Sequence, residues 1–521
     1  MASVPQELLE RPVPIRAGVG HFHDDADSKS QDAQRFYNQG LAYLHNYVWI
    51  EAARSFHQAL KYDANLALAH VGLSYAYIEL NKPTQAREAI GKAQALAAKA
   101  GDLSAVARRA EAEHVKRHVD ARALQMAAED APRDAAKLAA YRKALDGAIA
   151  AFPNDAEFVL RRGIAESPDP ADRGQGSVPG SVAYYDRAKK MSVPAAALGS
   201  WPADHFLAHA YENSGRMKEA EAAAAAYAAA NPGVPHAVHM HGHELRRLGR
   251  IHEAIARFEA ADKLQRDYLA REKIPAALDW HHAHNLDLLA ASYQYIGQMR
   301  KAEAVLKQSF DLPTNLLVQA VNKREWPAFL LARNRPNEAL AAGQSLLSHP
   351  NRVVQATGHI ESGFALLAMN RPADAANASN LALRALRSAA GGQDLAAIAL
   401  EALQGEFMLR TAQRDKGRAA MERAAQKWRS MPGPDAWTQS LFRLEALARA
   451  ARSVGDWALA ARMAQLMLEH DPNYPGTHYA LALVARNNGN TQTAAREFDL
   501  ALKGWANADK DLPELAVVRG K

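Results

Sequence analysis

Apolar residues recur every three to four positions through long, Ala-rich windows of this 521-residue chain, and no strand-length alternation of apolar and polar residues interrupts them. Such a period places the apolar side chains on one face of a helix and predicts an all-α protein whose helices begin near Asp32. The punctuation is regular too. Gly215 and Gly249 stand 34 residues apart, as do Ala220 and Ala254, Gly455 and Gly489, and Ala460 and Ala494. Further units run Ile296–Ala302, Arg333–Ala339 and Met369–Ala375, each with a turn former followed five residues later by an Ala. A turn and then a small residue predict a helical hairpin whose second helix packs close to the first.

Gly40, Tyr43, Ala52, Phe56 and Ala59, with Gly72 opening the next unit, are spaced as in a tetratricopeptide (TPR) repeat, and the interval of 34 is the period of that repeat. The resemblance implies a TPR-type helical-hairpin solenoid, a right-handed superhelix over residues 31–506 with a concave wall lined by the first helix of each hairpin. Within it, residues 31–100 read as N-terminal repeats, 201–310 as His-rich central repeats and 311–506 as C-terminal repeats. Residues 101–200 keep helical periodicity over Leu103–His118 and Ala135–Phe152 but lose the repeat register. Their Gly and Pro crowd into a predicted surface loop at 167–180. Pro5, Pro12, Pro14, Gly18 and Gly20 predict an extended arm over residues 1–30, and residues 507–521 form a C-terminal tail.

Composition narrows the chemistry. Cysteine is absent, which excludes disulfides, thiolate nucleophiles and sulfur-rich metal sites. A net charge of +6 spread along the chain, without a basic stripe interleaved with aromatics, gives no reason to expect nucleic acid. No apolar run approaches membrane-spanning length, so a soluble cytoplasmic protein without membrane contact is expected. Phosphate-cradling Gly loops, a nucleophile elbow and the His-Glu-x-x-His run are all missing.

Histidine carries the remaining signal. His236, His239, His241 and His243 fall within eight residues of one predicted helix, although His is only an average helix former and is seldom fully buried. His205 and His209 lie four apart in the preceding repeat, His239 and His243 four apart in the next, and both offsets equal 34. Residues i and i+4 share a helix face, so the two pairs are predicted to stand side by side on adjacent first helices. In the following unit His284 occupies the column of His236, and Asp287 that of His205 and His239. Neutral imidazole with carboxylate and no thiolate favours Zn(II), Cu(II), Ni(II) or Fe(II), as one ion or a pair. His241, on the opposite side of its helix, is read as interface packing. His114 and His118 are read as a chance pair, and His252, His349, His359, His470 and His478 as residues of turns and helix ends.

The stretch from Gly20-His21-Phe22 through Ala33–Tyr47 and Glu51–Phe56 resembles the opening of a large family of bacterial TPR proteins. Members continue with a His-x-x-His-Met-x-x-His helix and Leu-Gly-Arg, matched here by His236, His239, Met240, His243 and Leu248–Arg250, and then a His-Asn-Leu segment, matched by His284–Leu286. This chain has His241-Gly242 where the family carries Pro with a small residue, and Asp287 where it carries a second His. The resemblance implies that His21 and His45 join the site. Two functions follow: a metalloprotein, catalytic or metal-handling, or a non-catalytic adaptor binding a peptide or partner protein in the concave groove.

Overall fold

The computed structural model describes residues 4–100, 106–191, 201–314, 316–389, 391, 394–431 and 434–520, and every regular element among them is helical. Two compact units, Met1–Leu248 and Gly249–Lys521, divide the chain. No helix among the described residues is long and apolar enough to cross a membrane.

The hairpin rule holds in both units. Asn81, Gly215, Gly297, Asn334, Asn370, Gly455 and Gly489 sit at turns with φ between 56° and 77°, the left-handed region that Gly and Asn tolerate best. Five residues later Ala86, Ala220, Ala302, Ala339, Ala375, Ala460 and Ala494 are all buried. A methyl group there lets the second helix seat closely against the first. Tyr47, followed by the buried Ala52, takes the same turn position at φ 58°. An aromatic residue in left-handed backbone is an outlier that surrounding contacts must hold in place.

In the first unit the early and late hairpins meet. Tyr227 Oη donates to Asn46 Oδ1 at 2.7 Å, and Asn46 Nδ2 donates to Asn231 Oδ1 at 3.0 Å and to the Val19 carbonyl at 3.1 Å. The arm expected to be extended contains one short helix, Gln6–Glu10, and is packed down along its length, with Leu9, Val13, Phe22 and Ala26 buried. Side chains satisfy its backbone where no ladder does: Arg54 donates to the carbonyls of Arg11 and Pro12, and Gln39 to that of Pro14. Gly20 is required here, because at φ 78° a Cβ would stand 2.4 Å from Asn231 Oδ1 and 2.6 Å from the Trp201 ring.

The predicted surface loop at 167–180 is in part an inward-packed segment, a correction to its reading as surface. Ser167 and Ser177 are buried, and Tyr47 Oη donates to the Arg173 carbonyl at 2.8 Å. Of the irregular segment before it, residues 101–105 lie outside the described residues, Leu103 among them. The helices found are Val106–Glu129 and Ala135–Ala151.

In the second unit Arg443 pairs with Glu361 and Glu325 at 3.2 and 2.9 Å in the interior. Its C-terminal residues are held as well: Asp509 N donates to the Gly297 carbonyl at 3.0 Å, and Leu512 and Leu515 are buried around helix Pro513–Val518.

Candidate metal centre

Helices Trp201–Asn213 and Pro235–Arg247 of the first unit bring the central histidines together. His205 Nε2 lies 3.3 Å from His209 Nε2 and 3.2 Å from His236 Nε2, with all three rings buried. Four ligands held about 2.0–2.1 Å from a zinc-type ion at tetrahedral angles stand roughly 3.3–3.4 Å apart, and both spacings come close to that edge. His205 Nδ1 is 2.7 Å from the His45 carbonyl, which can only accept, so Nδ1 carries the proton and the Nε2 lone pair faces the other two rings. Burial, reinforced by His209, pushes the His205 imidazole well below its usual range and keeps it in the neutral, ligating form.

Aromatic walls fix the ring planes. His205 stacks on Tyr227 with centroids 4.4 Å apart, and the Tyr47 ring lies 4.7 Å from His205 and 5.2 Å from His236. The strained turn residue thus caps the imidazole cluster.

One turn further along the same helices a second donor set forms. Glu212 follows His209 by three residues, and Glu212, His243 and Glu244 each offer a ligand atom within 4.8 Å of the others, all buried. His243 Nδ1 approaches Glu212 Oε1 at 3.2 Å, and Arg247 Nη1 donates to the same oxygen at 2.9 Å. Both oxygens of Glu244, Oε2 of Glu212 and Nε2 of His243 are buried without a hydrogen-bond partner among the described residues. Burial and the neighbouring Glu212 charge drive the Glu244 carboxyl well above the usual range. Burial alone would raise Glu212 too, but His243, Arg247 and His209 hold it down.

Several sequence expectations change. The interval of 34 paired His205 with His239 and His209 with His243, yet the contacts run from His205 to His236 and from Glu212 to His243, an interval of 31 in both cases. The second helix is offset by three residues, close to one turn, along the first, roughly 4.5 Å at 1.5 Å per residue. The close donor pairs His205–His236 and Glu212–His243 are thus set by the stagger rather than by equal columns of the repeat. His239, fully buried, lies between the two sets, its ring centroid 6.1 Å from that of His236 and 6.2 Å from that of His243. The stagger leaves it outside both close groups.

These histidines are interior residues, where an exposed concave wall was expected. His45 stands apart from the close donor groups: its Nε2 pairs at 2.8 Å with Glu157, and its carbonyl orients His205. Glu157 would be raised by burial, but Arg161 and His45 hold its carboxyl down to about 2. His21 is exposed and contributes only its backbone carbonyl, to the Trp201 indole at 2.9 Å. His241 pairs with Glu221 at 3.1 Å, away from the cluster.

His284 and Asp287 lie half-buried on helix His281–Tyr295 of the second unit. His284 faces Trp280 and His281, and Asp287 accepts from Ser309 Oγ at 2.7 Å. No group of three close ligands forms in that unit among the described residues. Glu212 and Glu244 went unnoticed in the sequence. The i, i+3, i+7 face carrying His205 and His209 does include Glu212, and testing intervals other than 34 would have paired it with His243.

Residues 235–268 match the tetratricopeptide repeat model. The chain therefore contains a tetratricopeptide repeat. Its matched repeat begins with the helix that carries His236, His239 and His243. No curated protein sequence matches the chain significantly. Among solved structures it is similar to the apo form of the quorum sensor NprR from B. thuringiensis, at 10% identity and a TM-score of 0.40 over 84% of this chain and 98% of that one. The Cut9–Hcn1 hetero-tetramer of the APC/C matches at 10% identity and a TM-score of 0.32, over 94% and 96% of the two chains. A human IFIT1 dimer with m7Gppp-AAAA matches at 11% identity and a TM-score of 0.35, over 93% and 92%.

Proposed function

We propose that this TPR protein is a metalloprotein that retains a divalent transition metal inside its first unit. Zn(II), Cu(II), Ni(II) and Fe(II) are the ions suited to the donors. His205, His209 and His236 are the primary ligands, and Glu212, His243 and Glu244 form a second set able to hold a companion ion. The observation that carries the reading is the pair of Nε2 spacings, 3.3 and 3.2 Å, around a His205 whose tautomer is set by the His45 carbonyl. The two buried carboxyls of Glu212 and Glu244, side by side, supply the second support, since such a pair is costly in a protein interior unless a cation or a proton compensates it. The depth of the donors favours a retained ion over one that exchanges with an open groove.

A second reading draws on the scaffold: TPR folds support protein–protein interaction, and a peptide or partner protein would bind on surfaces other than these buried histidines.

Elemental analysis of untagged protein, equilibrated with each metal salt and desalted, tests the primary reading. Stoichiometric metal that falls on His209→Ala and survives His349→Ala is expected. Absence of bound metal, together with no thermal shift on adding any of the four salts, would overturn it.

A further inference from the structure

The pair His114 and His118, which repeat spacing gives no reason to connect with anything, sits at the centre of another ligand group, buried at Asp24 and His118 and half-buried at His114 and Asp155. Asp24, His114, His118 and Asp155 each offer one atom within 4.8 Å of the others. They come from three separate parts of the first unit: Asp24 from the N-terminal arm, both histidines from helix Val106–Glu129, and Asp155 from the N-cap of helix Ala156–Ile164.

The geometry is convergent. His114 Nε2 and His118 Nε2 are 3.3 Å apart and lie 2.8 and 2.9 Å from the same oxygen, Asp155 Oδ2. The nitrogen spacing again comes close to the roughly 3.3–3.4 Å edge of a tetrahedral zinc-type site. The other oxygen, Asp155 Oδ1, accepts from Phe158 N at 3.0 Å, so the helix cap holds the carboxylate in place. His114 Nδ1 meets Asp27 Oδ2 at 3.0 Å. A carboxylate on the far nitrogen fixes the tautomer that leaves Nε2 free to ligate, as in carboxylate–histidine–metal triads. Asp27 reaches this position from left-handed backbone at φ 56°. The His118 ring is stacked on Phe158 with centroids 3.8 Å apart, and Asp24 Oδ2 accepts from Tyr37 Oη at 2.8 Å.

The surroundings of this group are acidic, as suits a cation. Asp24, Asp27 and Asp155 place three carboxylates around two imidazoles, whereas the neighbouring Glu157 already has Arg161 at 2.7 Å and His45 at 2.8 Å. One divalent ion with two neutral imidazoles supplies the same +2 as two imidazolium ions, and supplies it to donor atoms that already converge, with Asp27 left to accept from His114.

We infer that Asp24, His114, His118 and Asp155 form a separate metal site for a divalent first-row transition ion, and that the ion clasps the N-terminal arm onto the helices beneath it. Asp27 is the orienting carboxylate. Phe22, Asp24 and Ala26 face inward and His21, His23 and Asp25 outward, so the extended arm presents a ligand and its apolar neighbours on one side.

Equilibrium dialysis of untagged full-length protein against Co(II), read by elemental analysis and by the visible Co(II) bands, tests the site. Asp24→Asn, nearly isosteric and still able to accept from Tyr37, and His118→Gln should each remove one equivalent or weaken it by at least about tenfold. His209→Ala should leave that equivalent in place. Tryptic cleavage after the exposed Lys29 should be slowed by Co(II) in the native protein and in His209→Ala, but not in Asp24→Asn. If Asp24→Asn binds as many ions as the native chain with equal affinity, the clasp is overturned whatever His209→Ala does. If only the equivalent lost in His209→Ala is ever present, the clasp fails and the His205 centre stands. If His118→Gln does not fold, Asp24→Asn decides alone.

Discussion

Replacing Glu244 by Gln should change sign with metal. In protein stripped with a chelator, Glu244 has both carboxylate oxygens buried and unpartnered beside Glu212. Holding that carboxyl neutral at pH 7, where the unfolded chain would ionise it, costs about 1–3 kcal/mol or more, and the Gln amide keeps the shape without that cost. Glu244→Gln is therefore expected to raise the stability of the stripped protein by about 1–3 kcal/mol, or some 2–8 °C in Tm for a unit of this size. With metal the order reverses. An ion present at 100 times its Kd stabilises by about 2.7 kcal/mol, and a 100-fold loss of affinity at the same concentration reduces that to about 0.4 kcal/mol. The assay is scanning calorimetry of native and variant protein in chelator and in Zn(II), with the metal-induced shift as the readout. A variant that is less stable than native in chelator, or that keeps the full Zn(II) shift, would refute the assignment of Glu244 as a buried ligand.

Other outcomes follow from single contacts. Phe56 is clamped between Gly40 and Gly72, where an added Cβ would stand 2.5 and 2.3 Å from its ring atoms, so Gly72→Ala should cost about 1–3 kcal/mol in urea unfolding. A loss under about 0.5 kcal/mol would mean that the ring can move aside. Burial lowers His57 from 6.5 to about 4, so the folded form prefers it neutral. Stability from this group is complete above pH 6.5 and is lost as pH falls toward 4, by at most about 3 kcal/mol, and His57→Gln should flatten that part of the stability–pH curve. An unchanged slope would show that His57 protonates in the folded protein as easily as in the unfolded one. Arg443→Met leaves the buried Glu325 and Glu361 with Arg324 as their remaining nearby cation, and should destabilise the second unit by about 3–5 kcal/mol. A thermal scan with no loss would place those carboxyls in water.

The repeat architecture was legible because its causes are local. A left-handed turn calls for Gly or Asn, and a close helix crossing calls for Ala five residues later, so Gly215 with Ala220 and Gly455 with Ala460 report the hairpin directly. The helix face of His205 and His209 was legible for the same reason, since i and i+4 are neighbours on any helix. Spacing also named the two helices on which His205, His209 and His236 come together, along with a third, His281–Tyr295, that carries no group of three close ligands among the described residues. It did not give the register between them, because the stagger of two packed helices depends on side chains along the whole contact.

That stagger, together with the closing of the first unit on itself, is what the tertiary structure alone decided. An interval of 31 in place of 34 brings His236 to His205 and Glu212 to His243, and leaves His239 between the two donor sets. Contacts of Asn46 with Tyr227 and Asn231 bury a face that an open solenoid would expose. Asp24, His114, His118 and Asp155 are up to 131 residues apart in sequence (24 to 155), and no local period could join them. The sequence by itself determined the helices, their hairpins and a face rich in imidazole. Which donors meet, and that they meet out of contact with solvent, depended on how the hairpins stack and on where the arm comes to rest.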